Sequence, residues 1–322
     1  MKAVVISEFG GPDVLQIQER DIPNVGVNDI LIKVRAAGVN RPDIFQRKGN
    51  YPAPGSVAAD IPGLEVSGLI EQIGKDVVGF SIGDKVMALV AGAGYAEFVA
   101  VDAGSCILMP DNISFEEAAG MPETIYTVWH NVFQRGKLVE NNKLLIHGGA
   151  GGIGTTAVQL GVLFGAEAYA TVGTSQKKEF VEELGASKVF NYNETDFEDE
   201  LRSEKVDVIL DCIGGEYFNK NLNVIKDDGR LVYINAMQGA KVELNLLKLM
   251  QKRVVLTGST LRNRSNEFKA SLTKEIVAHI IPLIKEGKFK TYIYRVFPIE
   301  EAAEAHRLME SRDFIGKIIL RF

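Results

Sequence analysis

Lys143 to Gly161 reads KLLIHGGAGGIGTTAVQLG, and this stretch decides the fold. Leu144, Leu145 and Ile146 form a short apolar run of the kind that is buried on both faces of a parallel sheet. Gly149, Gly151 and Gly154 follow with G-x-G-x-x-G spacing, and Ala157, Val158, Leu160 and Gly161 then start an apolar helical pattern. Glycines let the backbone turn sharply and approach a pyrophosphate closely, and a helix N-terminus offers unpaired N–H groups and a positive dipole end. A glycine triplet alone is weak evidence. Here a strand precedes it, a helix follows, and a second strand, EAYATVG at Glu167–Gly173, comes about twenty residues on.

The end of that second strand bears on the choice of dinucleotide. A site that prefers NAD places an Asp or Glu there to bind the ribose hydroxyls. This chain has Gly173, followed by Thr174-Ser175-Gln176-Lys177-Lys178. A carboxylate would repel a 2′-phosphate, whereas hydroxyls and ammonium groups stabilise it, so the loop predicts NADPH. Lys178 reads equally as part of a solvated helix face.

A chain of 322 residues, 46% of them hydrophobic, can build two domains with their own cores. The net charge of −6 and the absence of a basic stripe argue against nucleic acid as the main partner. No window has the length and apolarity of a membrane span, and MKAVVISEFG does not resemble a secretion signal, which points to the cytoplasm. Cys106 and Cys212 are far apart and read as reduced, structural thiols.

The first third is rich in short β runs punctuated by Gly, Pro, Asn and Asp: Lys2–Ser7, Val14–Arg20, Asp29–Gly38, Leu64–Gly74, Asp84–Val90 and Tyr95–Val101. Only Pro42–Lys48 looks helical there. From the capping box Ser114-Phe115-Glu116-Glu117 onward the texture changes, with a helix expected from Glu123 to about Gln134. Strands and helices then alternate, with strands at Leu144–His147, Ala168–Val172, Lys188–Phe190, Val208–Asp211, Leu231–Ile234 and Val254–Gly258. The fold class is therefore α/β: a doubly wound parallel (Rossmann) sheet joined to a mainly β domain. A long helix from Asn266 to Gly287, the run Tyr292–Phe297, the helix IEEAAEAHRLMES and the strand GKIILRF return to β structure. The expected division is 1–120 with 260–322 for the β domain and 121–259 for the nucleotide domain, with the ligand cleft between them.

The order of these parts resembles the medium-chain dehydrogenase/reductase superfamily, specifically its zinc-free quinone oxidoreductase branch, the family of zeta-crystallin. AAGVNRPDIFQRKGNYP, IPGLEVSGLIEQIG, GDKVMAL, LLIHGGAGGIGTTAVQLG, VGTSQKK, NYNETDF, LDCIGG, TGSTLRNR and HRLMESRDFIGKIIL carry the resemblance from end to end. It implies a GroES-like β domain. Zinc alcohol dehydrogenases carry a Cys where this chain has Asn40 and Gly-His-Glu where it has Gly63-Leu64-Glu65. With two cysteines and dispersed His130, His147, His279 and His306, no zinc site is expected. Alcohol oxidation needs help in deprotonating the hydroxyl, whereas a quinone or enone is already electrophilic. The resemblance thus implies NADPH as donor, passing hydride (or single electrons) to a conjugated carbonyl. The alternatives are a 2-alkenal or enone reductase, and a cofactor-binding protein with a structural or regulatory role.

By resemblance, Gly151, Gly152, Ile153 and Gly154 form the phosphate loop, and Ser175, Lys177 and Tyr192 contact the 2′-phosphate. Tyr192 also reads as a half-exposed strand aromatic. Thr127, Gly214 and Lys317 are expected near the cofactor, although a lysine at a strand start is ordinarily exposed. Asn40 and Tyr51 are the catalytic candidates, with Asn40 alternatively a turn-stabilising side chain. Tyr51 can donate a hydrogen bond to the acceptor oxygen, and a hydroquinone anion can take its proton from water. Arg262 and Arg264 read either as solvated or as meeting the cofactor. A homodimer is expected through the strand at Val254–Leu256, whose apolar edge must be paired or blocked.

Overall fold

The computed structural model describes residues 1–322. The chain forms two compact units, Met1–Tyr126 with Leu261–Phe322, and Thr127–Thr260. The first junction lies a few residues beyond the expected 120, inside the helix that links the units.

In the first unit, β1 (Lys2–Ile6) and β2 (Leu15–Glu19) pair as an antiparallel ribbon. The central strand is β3 (Asp29–Val39), followed by α1 (Arg41–Arg47), β4 (Glu65–Ile73), β5 (Lys85–Leu89), β6 (Phe98–Asp102) and β7 (Cys106–Leu108). The short helices α2 (Phe115–Ala119) and α3 (Pro122–Val128) come next. β3 is long enough to serve several partners: β4 lies on one side, and β6 pairs with its first half on the other. Ile30, Ile32 and Val34 alternate with outward Lys33 and Arg35, so one face is committed to the core. Each such fully buried aliphatic side chain contributes about 1.5–3 kcal/mol.

The second unit runs β8 (Lys143–His147), α4 (Gly152–Leu163), β9 (Glu167–Val172), α5 (Ser175–Glu183), β10 (Lys188–Asn191), α6 (Phe197–Leu201), β11 (Val206–Asp211), α7 (Tyr217–Val224), β12 (Ile225–Tyr233), α8 (Leu246–Lys252) and β13 (Val255–Gly258). Its sheet order is β10-β9-β8-β11-β12-β13, all parallel. Leu144, Leu145 and Ile146 are completely buried, as a strand covered on both faces requires. The winding reverses between β8 and β11, so the carboxyl ends of these two strands form the switch point where such sheets bind ligands.

The chain then returns to the first unit with α9 (Asn266–His279), α10 (Ile281–Lys285), β14 (Ile293–Pro298), α11 (Ala302–Ser311) and β15 (Lys317–Arg321). β15 pairs antiparallel with the second half of β3 and parallel with β14. The helix expected from Asn266 to Gly287 is thus two helices. Pro282 lacks an N–H and crowds the preceding turn, and the break falls at Ile280. The helix expected from Glu123 to Gln134 also changes character, becoming a π-helical turn at Trp129–Arg135. There the Asn131 side chain donates to the Thr127 carbonyl at 2.9 Å, and the Asn131 carbonyl accepts from Gly136 five residues on.

Candidate functional site

The loop between β8 and α4 is shaped for close approach. Gly148 takes φ +81°, a conformation that favours glycine, and a side chain on Gly154 would lie 2.2 Å from the Gly148 carbonyl oxygen. At Gly151 a Cβ would meet nothing nearer than 3.7 Å. Gly151 caps a helix of twelve residues without a side-chain cap, so no side chain competes for the first-turn N–H groups of α4. These features fit a pyrophosphate. At the other strand of the switch point, Asp211 is fully buried and its Oδ1 accepts from the Ile213 and Gly214 N–H groups at 2.5 and 3.1 Å. Asn221 donates to Asp211 Oδ2 at 2.8 Å and accepts from His147 Nε2 at 2.8 Å. Burial holds His147 below its ordinary range, which keeps the ring neutral. The loop at Gly214 is therefore shaped by a carboxylate beneath it.

At the end of β9, the Thr174 hydroxyl caps α5 by accepting from the Lys177 N–H. Ser175 is exposed and Lys177 half-buried. Tyr192 is 51% exposed, and a Cβ on Gly173 would strike its hydroxyl, so glycine at the strand end lets the tyrosine lie over it. The structure brings Ser175, Lys177 and Tyr192 around one strand end. It also adds an acid that the sequence reading missed. Ser175 donates to Glu194 Oε1 at 3.1 Å, twenty-one residues after Gly173. Thr127, at the start of the same unit, is half-buried and its carbonyl is taken by Asn131.

In the first unit Asn40, Glu65 and Lys317 form one buried cluster. Lys317 Nζ donates to Glu65 Oε1 at 2.5 Å, to Asn40 Oδ1 at 2.7 Å and to the Val39 carbonyl at 3.3 Å. Asn40 Nδ2 donates to Glu65 Oε1 at 2.8 Å, and the other carboxylate oxygen accepts from the Glu123 backbone N–H at 2.9 Å. Two expectations change here. Lys317 is not an exposed strand start available to a cofactor: its three N–H donors are all used within the protein. The amide of Asn40, expected to face a substrate, likewise points into the cluster, where it bonds Glu65 and Lys317. Gly316 makes the placement feasible, because any Cβ there would lie 2.0 Å from the Tyr292 carbonyl oxygen.

A second buried chain adjoins it. Arg47 donates to His306 Nδ1 at 3.2 Å and therefore assigns the ring proton to Nε2, which donates to Tyr95 at 3.3 Å. Tyr95 donates to Asp43 Oδ2 at 3.0 Å. Burial pushes Asp43 up to about 6 despite that bond and those from Asn40 and Gly63, and burial beside Arg47 brings His306 down to about 3.

Tyr51 is half-buried, and the Arg262 guanidinium carbon lies 5.1 Å from its ring centroid. Arg262 is buried rather than solvated, donating to the Ala91 carbonyl, the Tyr51 carbonyl and Gln46 Oε1 at 2.6, 3.2 and 2.7 Å. The phenol of Tyr51 is pushed up by burial and then by the charge of Glu123. Glu123 itself is pushed up to about 8 by burial and by Glu65. In sequence it looked only like an acid opening a helix, favourable to the dipole, and nothing local marked its neighbours.

Residues 26–111 match the alcohol dehydrogenase GroES-like domain family, and 184–320 match the zinc-binding dehydrogenase family. The chain is 30% identical to the synaptic vesicle membrane protein VAT-1 homolog of Danio rerio, over 99% of this chain and 69% of that protein. It is 29% identical to the quinone oxidoreductase of Sus scrofa, covering 99% and 97%. Among solved structures, Escherichia coli quinone oxidoreductase complexed with NADPH superposes with a TM-score of 0.89 at 28% identity, covering all of both chains. No helix here is long and apolar enough to cross a membrane.

Proposed function

The chain belongs to the quinone oxidoreductase family of medium-chain dehydrogenases/reductases, and from that premise we propose that it is an NADPH-dependent, zinc-independent reductase of quinones. The family makes it an oxidoreductase that uses a nicotinamide cofactor; the phosphate, the metal independence and the acceptor are our reading. When bound, the reduced nicotinamide supplies hydride (or single electrons).

The glycine turn before α4, together with Gly214, would hold the pyrophosphate side, and Ser175, Lys177 and Tyr192 the 2′-phosphate. The observation that carries the reading is the Lys317 ammonium between Asn40 and Glu65. Asn40 stands where the zinc enzymes carry a cysteine, and Glu65 is the glutamate that follows their histidine, a position held here by Leu64. A cation already seated there would repel a divalent ion, and it leaves no Lewis acid with which to activate an alcohol. A conjugated carbonyl needs none. In this reading Tyr51 would donate a hydrogen bond to the acceptor oxygen. We further propose a homodimer acting on small molecules in the cytoplasm.

The test is oxidation of NADPH by purified protein with a panel of simple quinones, followed by absorbance; no quinone-dependent oxidation would overturn the reading. Faster turnover of 2-alkenals or enones would reassign the acceptor. Tight NADPH binding with negligible turnover would favour a structural or regulatory role.

A further inference from the structure

The two loops at the switch point of the nucleotide unit are joined from below by one chain of buried side chains: Thr171, His147, Asn221 and Asp211. His147 closes β8 and pairs with Thr171 on β9. The Thr171 carbonyl accepts from the Gly148 and Gly149 N–H groups at 3.1 and 3.0 Å. Its hydroxyl oxygen lies 3.4 Å from the Gly148 nitrogen and 3.1 Å from His147 Nδ1. Across the ring, Nε2 lies 2.8 Å from Asn221 Oδ1, and Asn221 Nδ2 lies 2.8 Å from Asp211 Oδ2. The other oxygen of Asp211 takes the Ile213 and Gly214 N–H groups, so the chain runs from the glycine turn to the Gly214 loop without a gap.

The direction of every bond in it is fixed. The Asp211 carboxylate only accepts, so the amide nitrogen of Asn221 faces it and the amide oxygen faces His147. That oxygen also only accepts, so Nε2 carries the ring proton. In the neutral ring Nδ1 is then the acceptor, taking the Thr171 hydroxyl proton and leaving the hydroxyl oxygen to accept from Gly148. No member can turn over without stranding a buried polar group.

We propose that Thr171, His147 and Asn221 are positioning residues for the dinucleotide, locking the glycine turn and the Gly214 loop to each other before the pyrophosphate arrives. The assignment rests on the reading that these two loops hold the cofactor. A loop held in advance bears its ordering cost on folding rather than on binding, which raises affinity.

Thr171→Val removes the hydroxyl and keeps the backbone pairing of the strand, and Asn221→Ala opens the chain at its other end. Fluorescence titration of the cofactor-free protein with NADPH should give a dissociation constant about tenfold higher in Thr171→Val and close to wild type in Thr171→Ser. Asn221→Ala should weaken binding by a similar factor. The double variant should bind no more weakly than the poorer single one, since a chain already broken has no coupling left to lose. Nitrogen-15 spectra of histidine-labelled wild type should show His147 protonated on Nε2 alone near neutral pH. Four results each overturn the proposal alone: a folded Thr171→Val that binds like wild type, a Thr171→Ser as weak as Thr171→Val, losses that multiply in the double variant, or a proton on Nδ1. The Thr171 variants and the spectra decide the matter even where Asn221→Ala does not fold. A wild type that binds no nicotinamide cofactor removes the reading of the two loops, and the proposal with it.

Discussion

Lys317 Nζ lies 2.5 Å from Glu65 Oε1, although the two residues are 252 positions apart and both side chains are withdrawn from solvent. Such a pair is held at a desolvation cost, so removing one partner is far worse than neutralising both. Lys317→Met should destabilise the protein by about 3–5 kcal/mol, the range for breaking a buried ion pair. Adding Glu65→Gln should recover part of that loss, because it removes the unpaired buried charge, while the single amide oxygen can serve either Asn40 or the Glu123 N–H but not both. Chemical denaturation of the single and double variants would check it. Equal losses in both would mean that the ammonium is not paid back by Glu65.

The proposed preference for NADPH can be tested at the end of β9, where Lys177 and Glu194 carry opposite charges on either side of Ser175. Lys177→Ala should weaken NADPH by about 1.5–3 kcal/mol, the range for a hydrogen bond to a charged group, with much less effect on NADH. Glu194 lies beside Ser175 and bears the wrong charge for a phosphate. Glu194→Gln should therefore tighten NADPH and leave NADH unchanged or weaker. Calorimetric titration of both cofactors into both variants distinguishes the effects, and equal losses for NADPH and NADH in Lys177→Ala would sink the phosphate assignment.

The glycine turn and the strands around it were legible because their signals are local: apolar runs, glycine spacing and the twenty-residue step to the next strand. The broken helix at Ile280 was legible as well, since Pro282 stands in the sequence, but it was outweighed by the apolar periodicity on either side. The polar cluster was not legible. Arg262 reaches Gln46 across 216 positions, and Lys317 reaches Asn40 across 277. No pattern in either segment names its partner. Glu123 was hidden for a different reason, because an acid in a first helical turn is what the dipole favours anyway.

Acid should expose a weak point in the nucleotide unit. Glu204 accepts from Lys143 at 2.6 Å, from Lys188 and from Tyr169 at 2.5 Å, and these partners, Lys143 first, hold it down to about 2. A carboxylate depressed in the folded state stabilises above its ordinary value of about 4.5, and that contribution is lost as pH falls through about 2. Glu204→Gln should therefore lower Tm at neutral pH, with the gap to wild type closing between those two values. A gap that persists at the acid end would show that packing, and not charge, is what Glu204 supplies.

The proposed homodimer can be tested at one edge of the parallel sheet. β13 pairs with β12 and is the last strand, Val255 is exposed, and α8 just before it shows exposed Leu246, Leu247 and Met250. An apolar edge of this kind is paired in stable proteins. The expected state is a homodimer joined through β13, and Val255→Lys should shift it toward monomer in light scattering at micromolar concentration. A wild type that is already monomeric there would rule the arrangement out.

Tyr51 provides the last test, because its phenol is asked to donate a hydrogen bond and not to surrender its proton. A hydrogen bond to the developing oxyanion stabilises the transition state in a low-dielectric site, but the phenol keeps its proton. Its ordinary value is already high, and burial and Glu123 push it higher, so surrendering that proton near neutral pH is disfavoured. Tyr51→Phe also leaves the aromatic face beside Arg262 in place. Quinone turnover should therefore drop by a modest factor, on the order of ten or less, against the 100-fold or more typical of losing a general acid. An enone should suffer more, since its enolate is the more basic oxyanion and depends more on the donated bond. Complete loss of quinone reduction with NADPH affinity intact would instead make Tyr51 the proton donor.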